Sequence, residues 1–225
     1  NYRLIFLPWK AGKHNPAKSE GAWATNCFIP VHRAIGPNNE TFICSYKRYG
    51  KRCAVCEEVQ KLLKNQPKDN TAEGKDYWKK VISPLKYKDR ELFMIHDLDG
   101  PKDNIQVWDE SCFLFGDDFR ELMSTQQSYK AFADFKLGKV VSFKAVEHDM
   151  GTGKPCTKMK AIAFSDRDKP LSEGLLRATK TYCLDLMPIE VAYDKLKRLM
   201  GTTGGSIGEE ELDKETTKPV NTEPN

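Results

Sequence analysis

The chain has 225 residues, 39% hydrophobic and 30% charged, with 36 Lys and Arg against 32 Asp and Glu for a formal charge of +4. This length fits one large domain or a domain with a subdomain, and the apolar fraction suffices for a core, which argues against wholesale disorder. No run of about 18 apolar residues predicts a membrane span, and no charged-then-apolar leader indicates secretion.

The chain opens at Asn1 without Met, so residues upstream are expected to be missing, and it enters the apolar run Arg3-Leu4-Ile5-Phe6-Leu7 directly. Short β-rich runs at 3–7, 27–33 and 41–46 are separated by Gly, Asn and Pro clusters and read as strands. A helix is expected over 55–65, with Val59, Leu62 and Leu63 on one face. Strands at 91–96 and 104–108 flank the turn signal Asp99-Gly100-Pro101. A second helix, 118–134, follows Asp117 as N-cap. In 139–147, Val141, Phe143 and Ala145 alternate with Ser142 and Lys144. In 157–164, Met159, Ala161 and Ala163 alternate with Lys158, Lys160 and Ile162, and the hairpin-like segment Asp149-Met150-Gly151-Thr152-Gly153 joins the two strands. A last helix, 189–200, begins after Pro188, stops before Gly201 and spaces Ile189, Tyr193, Leu196 and Met200 for one buried face. Short strands interrupted by helices, with no βαβ rhythm and no repeat, give a mainly β chain with peripheral helices, read as a barrel with insertions. Residues 208–225 hold six acidic and two basic residues, a net of −4, so residues 1–207 stand at +8. The acidic tail follows a flexible Gly/Thr/Ser linker and reads either as an inert solvated end or as a partner-docking or self-screening segment.

Seven cysteines are an odd count, and Cys44, Cys53 and Cys56 fall within 13 residues, which suits a metal or redox role better than a disulfide framework. With His32 the spacing is His-x11-Cys-x8-Cys-x2-Cys, with Cys53 and Cys56 at the start of the first expected helix. A Cys3His set fills a tetrahedral zinc shell without vacancy, as structural sites do, and thiolates favour zinc over magnesium or calcium. Such an ion would help fold the lysine-rich segment 32–60. Cys27, Cys112, Cys156 and Cys183 read as small apolar residues, and His14, His96 and His148 as ordinary ones. A zinc deaminase needs His-x-Glu and Pro-Cys-x-x-Cys; here Ala34 and Arg52 stand at those places. There is no His-Glu-x-x-His, Walker loop or Gly-x-Ser-x-Gly, and Asp97, Asp99 and Asp103 read as a turn.

Cations interleave with aromatics in Tyr46-Lys47-Arg48-Tyr49-Gly50-Lys51-Arg52, in Tyr77-Trp78-Lys79-Lys80 and in Lys86-Tyr87-Lys88-Asp89-Arg90, while Lys144, Lys158 and Lys160 add charge to one strand face. The mixture suits single-stranded nucleic acid: cations neutralise phosphates and rings stack unpaired bases.

The order His32, Cys44, Cys53-Ala54-Val55-Cys56, the opening Arg3-Leu4-Ile5-Phe6-Leu7-Pro8, the segment Phe113-Leu114-Phe115-Gly116 and the closing Leu196-Lys197-Arg198-Leu199-Met200-Gly201-Thr202 resemble the T-even-type bacteriophage single-stranded-DNA-binding (helix-destabilising) proteins. The resemblance spans most of the body, with the zinc motif its only specific part. It implies an oligonucleotide-binding (OB) barrel with an inserted zinc subdomain near 30–65 and a structural Zn2+ on His32, Cys44, Cys53 and Cys56. It further implies contacts near Tyr49 and Tyr77, with Phe113 where the family has Tyr and Asp117 and Asp118 where it has basic residues. The expected role is non-enzymatic: sequence-independent protection of single-stranded DNA in phage replication, recombination and repair, in the cytoplasm of an infected bacterium. Implied partners are replication or recombination proteins on the acidic tail and other copies along the strand. The alternatives are an RNA-binding regulator on the same barrel and, further off, a metal-dependent nuclease.

Overall fold

Leu4, Ile5, Phe6 and Leu7 are four successive apolar residues because strand β1 (Tyr2–Leu7) is covered on both faces. Leu4 and Phe6 join one buried cluster, Ile5 and Leu7 another. The computed structural model describes residues 1–15, 17–102, 104–149 and 155–201. In chain order, β1 is followed by the short ribbon β2 (Trp9–Lys10) and β3 (Trp23–Ala24), β4 (Cys27–Ile35), β5 (Glu40–Ile43), α1 (Ser45–Tyr49), α2 (Ala54–Lys64) and α3 (Ala72–Tyr77). A π-helical turn (Trp78–Ile82) leads into α4 (Ser83–Leu85), then β6 (Lys88–Asp97), β7 (Ile105–Ser111), α5 (Asp117–Thr125), β8 (Lys139–Asp149), β9 (Pro155–Asp166), α6 (Glu173–Thr181) and α7 (Tyr193–Gly201).

Seven strands form one antiparallel sheet organised on β6. One edge of β6 is shared end to end by β4 (Cys27 opposite Leu92) and β1 (Leu7 opposite Met94), and its other edge takes β7 along seven positions. β5 extends the sheet beyond β4, and β8 and β9 extend it beyond β1. Among the described residues no pairing joins β9 to β5 or β7, so the sheet is open and the barrel closure expected from sequence is not made by these strands. The fold is mixed α and β, mainly antiparallel sheet with peripheral helices.

One face carries an aromatic-rich core, in which Phe6 lies 5.2 Å from Phe93 and 5.3 Å from Phe119, and Trp108 lies 4.6 Å from Phe115, with Leu4, Ile95, Val141 and Met159 filling in around the rings. The opposite face packs Trp9, Cys27, Ile29, Val31 and Met94 against Leu171 and Leu175, at the entry to and on α6. Burying each such side chain contributes about 1.5–3 kcal/mol before entropy is charged against it. A third cluster joins Ile35, Phe42, Cys44, Cys53, Val55 and Leu196, tying segment 32–64 to α7.

Several sequence expectations shift. The strand expected to reach residue 46 stops at Ile43, and residues 45–49 are helical, ended by Gly50 at φ +67, where a side chain would be strained. The helix expected over 118–134 breaks after Thr125: Gln126 is extended, and the Ser124 and Thr125 hydroxyls donate to the carbonyls of Glu121 and Leu122. The last helix starts at Tyr193, and Ile189, expected on its buried face, is 77% exposed. In β9 a bulge with Ala161 at φ +54 inserts one residue against β8, so Ile162 and Phe164 turn to the core and Ala161 and Ala163 face out, reversing the alternation read from sequence. Asp103, the hairpin segment 150–154 and the acidic tail lie outside the described residues.

Arg48, expected at a nucleic-acid surface, is buried. It pairs with Asp185 at 3.3 Å, both side chains 1% exposed, and donates to the Phe28 carbonyl at 2.6 Å. Asp185 also accepts from the Gly12 amide at 2.9 Å and from Asn15. Burial works to raise the Asp185 pKa, but these donors outweigh it and hold the carboxyl below its usual range. Asp185→Ala, which leaves the guanidinium enclosed and unpaired, is expected to cost about 3–5 kcal/mol in urea unfolding.

Candidate metal centre

His32 sits on β4, next to the edge strand β5, and Cys44 follows the end of that strand. The Cys44 amide still donates to the Pro30 carbonyl at 2.8 Å, so the sheet fixes this ligand's backbone. Gly50 reverses the chain after α1 and returns Cys53 to the N-cap of α2, whose first turn carries Cys56. Cys44 in turn is the N-cap of α1. The partial positive charge at the N-terminus of α2 thus falls on the Cys53 thiol, which favours its thiolate.

The four ligand atoms lie within 4.8 Å of one another. Cys44 Sγ is 3.4 Å from Cys56 Sγ, and His32 Nε2 is 3.4 Å from Cys53 Sγ and 3.5 Å from Cys56 Sγ. A tetrahedral ion with Zn–S bonds near 2.3 Å and Zn–N bonds near 2.0 Å separates its ligands by about 3.8 Å (S···S) and about 3.5 Å (N···S). The cluster therefore has the donor set and the dimensions to hold one metal ion, consistent with zinc. His32 and Cys44 are fully buried, Cys53 is 2% exposed, and Cys56 is half-buried. His32 Nδ1 donates to the Leu85 carbonyl at 2.8 Å, which fixes the tautomer that presents Nε2 to the sulfurs.

The protons of Cys53, Cys56 and His32 are shared through these contacts. Hydrogen bonds from Cys44 and Cys56 hold the Cys53 thiol far below its usual range, and the neighbouring Cys44 and Cys53 push Cys56 far above it. Burial acts to lower His32, but its hydrogen bonds to Cys44 and Cys53 win and push it up to about 9.

A cavity of about 670 Å³ opens beside the cluster, reaching His32, Cys53 and Cys56 and walled by Tyr46, Lys47, Lys51, Arg52, Lys86 and Tyr87. Six residues from two of the three basic segments, 46–52 and 86–90, thus converge here. Lys47 Nζ lies 5.1 Å from the Tyr87 ring centre and Lys86 Nζ 4.8 Å from that of Trp78. Tyr46 is 57% exposed, while half-buried Tyr49 donates to the Pro188 carbonyl and lies 5.6 Å below Lys51 Nζ. Tyr77 is half-buried, and Lys79 is exposed on the adjoining turn.

Other expected contacts are spoken for. Arg52 grips Glu57 at 2.8 and 3.1 Å, Lys51 pairs with Glu190 at 2.6 Å, and Lys80 pairs with Asp76 at 2.9 Å. Arg90 is held by Asp109 at 2.6 Å, and Lys88 donates to the Ser83 carbonyl. Phe113, 53% exposed, lies 5.4 Å from Lys158 Nζ, which pairs with Asp118 at 3.2 Å. The β8–β9 register sets exposed Lys144 directly opposite exposed Lys160 and Val146 opposite Lys158, all on one side of the hairpin and away from the metal cluster. Of the remaining cysteines, Cys27 and Cys112 are buried, Cys156 and Cys183 half-buried.

The sequence reading missed Leu85 and Tyr193. The first acts through a backbone carbonyl, which no residue type signals. The second, whose spacing places it on the buried face of the last helix, donates to Glu57 at 2.5 Å and lies 4.3 Å from the Arg52 guanidinium.

No protein-family model, no curated protein and no solved structure matches the chain.

Cobalt titrated into metal-free protein is expected to bind one ion per chain, with tetrahedral d–d bands and thiolate charge-transfer absorption. Cys53→Ser is expected to weaken both. Because the ligands bind deprotonated, acidification is expected to release the ion and alkalinity to retain it; absorption independent of Cys53 would reject the assignment.

Proposed function

We propose that the chain binds single-stranded DNA with little sequence preference, holding it open without catalysing a reaction, and that a structural Zn2+ on His32, Cys44, Cys53 and Cys56 shapes the binding surface. The observation that carries this reading is the cavity in which cations and aromatic rings alternate against the metal cluster. Zinc with three thiolates would carry a net charge of −1, which Lys47 and Lys86, the cavity cations with no carboxylate partner among the described residues, offset, and a strand laid on them gains by counterion release. The rings of Tyr46, Tyr87 and Trp78 offer faces to bases that a duplex would keep stacked, so preference for single strands and melting by mass action follow from one geometry. Lys144 directly opposite Lys160 adds to the argument: like charges placed across strands destabilise a hairpin, and a phosphate between them relieves the repulsion. The OB-type barrel and the phage replication setting belong to this proposal and rest on the family resemblance. So does recruitment of replication proteins by the acidic tail.

Titration with oligothymidylate is expected to quench intrinsic fluorescence, with affinity falling steeply with salt, and matched duplex should bind far more weakly. Tyr87→Ala is expected to cost about 1–3 kcal/mol of binding. Equal affinity for single strand and duplex would overturn the proposal.

Lys160→Glu separates binding from stability on the hairpin. It is expected to stabilise the fold by up to about 1 kcal/mol through the new pair with Lys144, while weakening oligonucleotide binding. Unfolding and binding titrations on the same preparation check both signs.

A further inference from the structure

The ribbon β2–β3 sets Lys10 directly opposite Trp23, with Lys10 Nζ 4.1 Å from the centre of the indole. Two residues per strand cannot hold a ribbon by themselves. Trp23 is braced edge-on by Phe135, 4.9 Å away, and remains 39% exposed. Beside it lies a cleft of about 420 Å³, floored by Phe135, Pro170 and Leu176 and rimmed by Lys136 and Lys180. Lys51, Lys80, Lys139 and Lys158 are paired with carboxylates. Lys10, Lys136 and Lys180, all exposed, take no ion-pair partner among the described residues.

The connection between β2 and β3 links this cleft to the metal-centre cavity. Its Gly12 and Asn15 are held by Asp185, the carboxylate that also pairs with Arg48 of α1. Its His14 lies 6.1 Å from the ring of Tyr49, which in turn carries Lys51 at the cavity rim. Exposed Lys13 continues the positive charge between the two places.

We infer that Trp23, with Lys10, Lys136 and Lys180, forms a second binding surface that takes a further segment of the same single strand, a base stacking on the indole and phosphates meeting the three lysines. This rests on the metal-centre cavity being the primary site for that strand. An exposed ring under one unpaired cation and beside two others fits a polyanion with free base faces. A strand leaving the cavity past Tyr49 and Lys13 would meet this surface next.

The test compares oligothymidylates of about 6 and about 16 nucleotides on the full chain. Wild type is set beside Trp23→Ala, Trp23→Tyr and the triple variant Lys10→Gln, Lys136→Gln, Lys180→Gln. Trp23→Ala is expected to lose about tenfold in affinity for the long oligomer and almost none for the short one, with Trp23→Tyr restoring most of the loss. The triple variant is expected to reduce the salt slope for the long oligomer by about 2. An iodouracil-substituted long oligomer is expected to photo-crosslink to Trp23. If the triple variant and Trp23→Ala bind the long oligomer as wild type does, this second surface is rejected while the cavity reading stands. If wild type binds neither length, both fall. Should Trp23→Ala fail to fold, the triple variant decides alone, because its three lysines are exposed and leave the core intact.

Discussion

Three thiols and an imidazole within 4.8 Å of one another are the constraint on which this part of the molecule turns. Sulfurs at 3.4 Å and a ring nitrogen at 3.4–3.5 Å from two of them share so small a volume only around a cation or by sharing protons among themselves. The four ligands are anchored to three pieces of structure: His32 to the sheet, Cys44 to the end of β5 and the start of α1, and Cys53 and Cys56 to the start of α2. An ion at their centre would therefore fix the angles between sheet and helices. The same four residues decide where Tyr46, Lys47, Lys51 and Arg52 stand.

That placement joins folding to function. The His32–Leu85 hydrogen bond couples the cluster to the chain immediately before Lys86 and Tyr87, the far wall of the cavity. The buried Arg48–Asp185 pair fixes the other side of α1 and gathers Gly12 and Asn15 to it. Arg48 thus belongs to the frame that aims Tyr46, Lys47 and Tyr49, and its enclosed charge is worth more there than at a solvated surface, where ion pairs contribute little.

Long alternating or apolar strands were legible because their periodicity reports burial directly: β1, β4, β6 and β8 lie close to where the pattern puts them. The elements that were missed or misplaced are set by capping and local hydrogen bonds. α3 starts where Thr71 Oγ1 accepts from the Gly74 amide, and α6 where Ser172 accepts from that of Leu175. Both are readable N-cap signals; α3 is followed by no apolar period, whereas α6 does carry a buried Leu175–Ala178–Thr179 face over its short length. The bulge at Ala161 shifts the facing of half a strand by a single residue, a change that hydrophobic alternation does not record.

The residue pattern alone singles out the four candidate metal ligands, since soft side chains at that spacing have few other uses, and marks the basic and aromatic segments around them. Which of those cations are available depends on the fold. Arg48 is enclosed, Lys51 and Arg90 are matched by carboxylates far away in sequence, Lys80 by Asp76 one helical turn back, and Arg52 by Glu57 across the start of α2. Among the described residues, Lys144 and Lys160 face each other across the hairpin without such a match. Whether a charge is neutralised depends on what the fold brings within 4 Å of it, and local sequence carries no account of such distances.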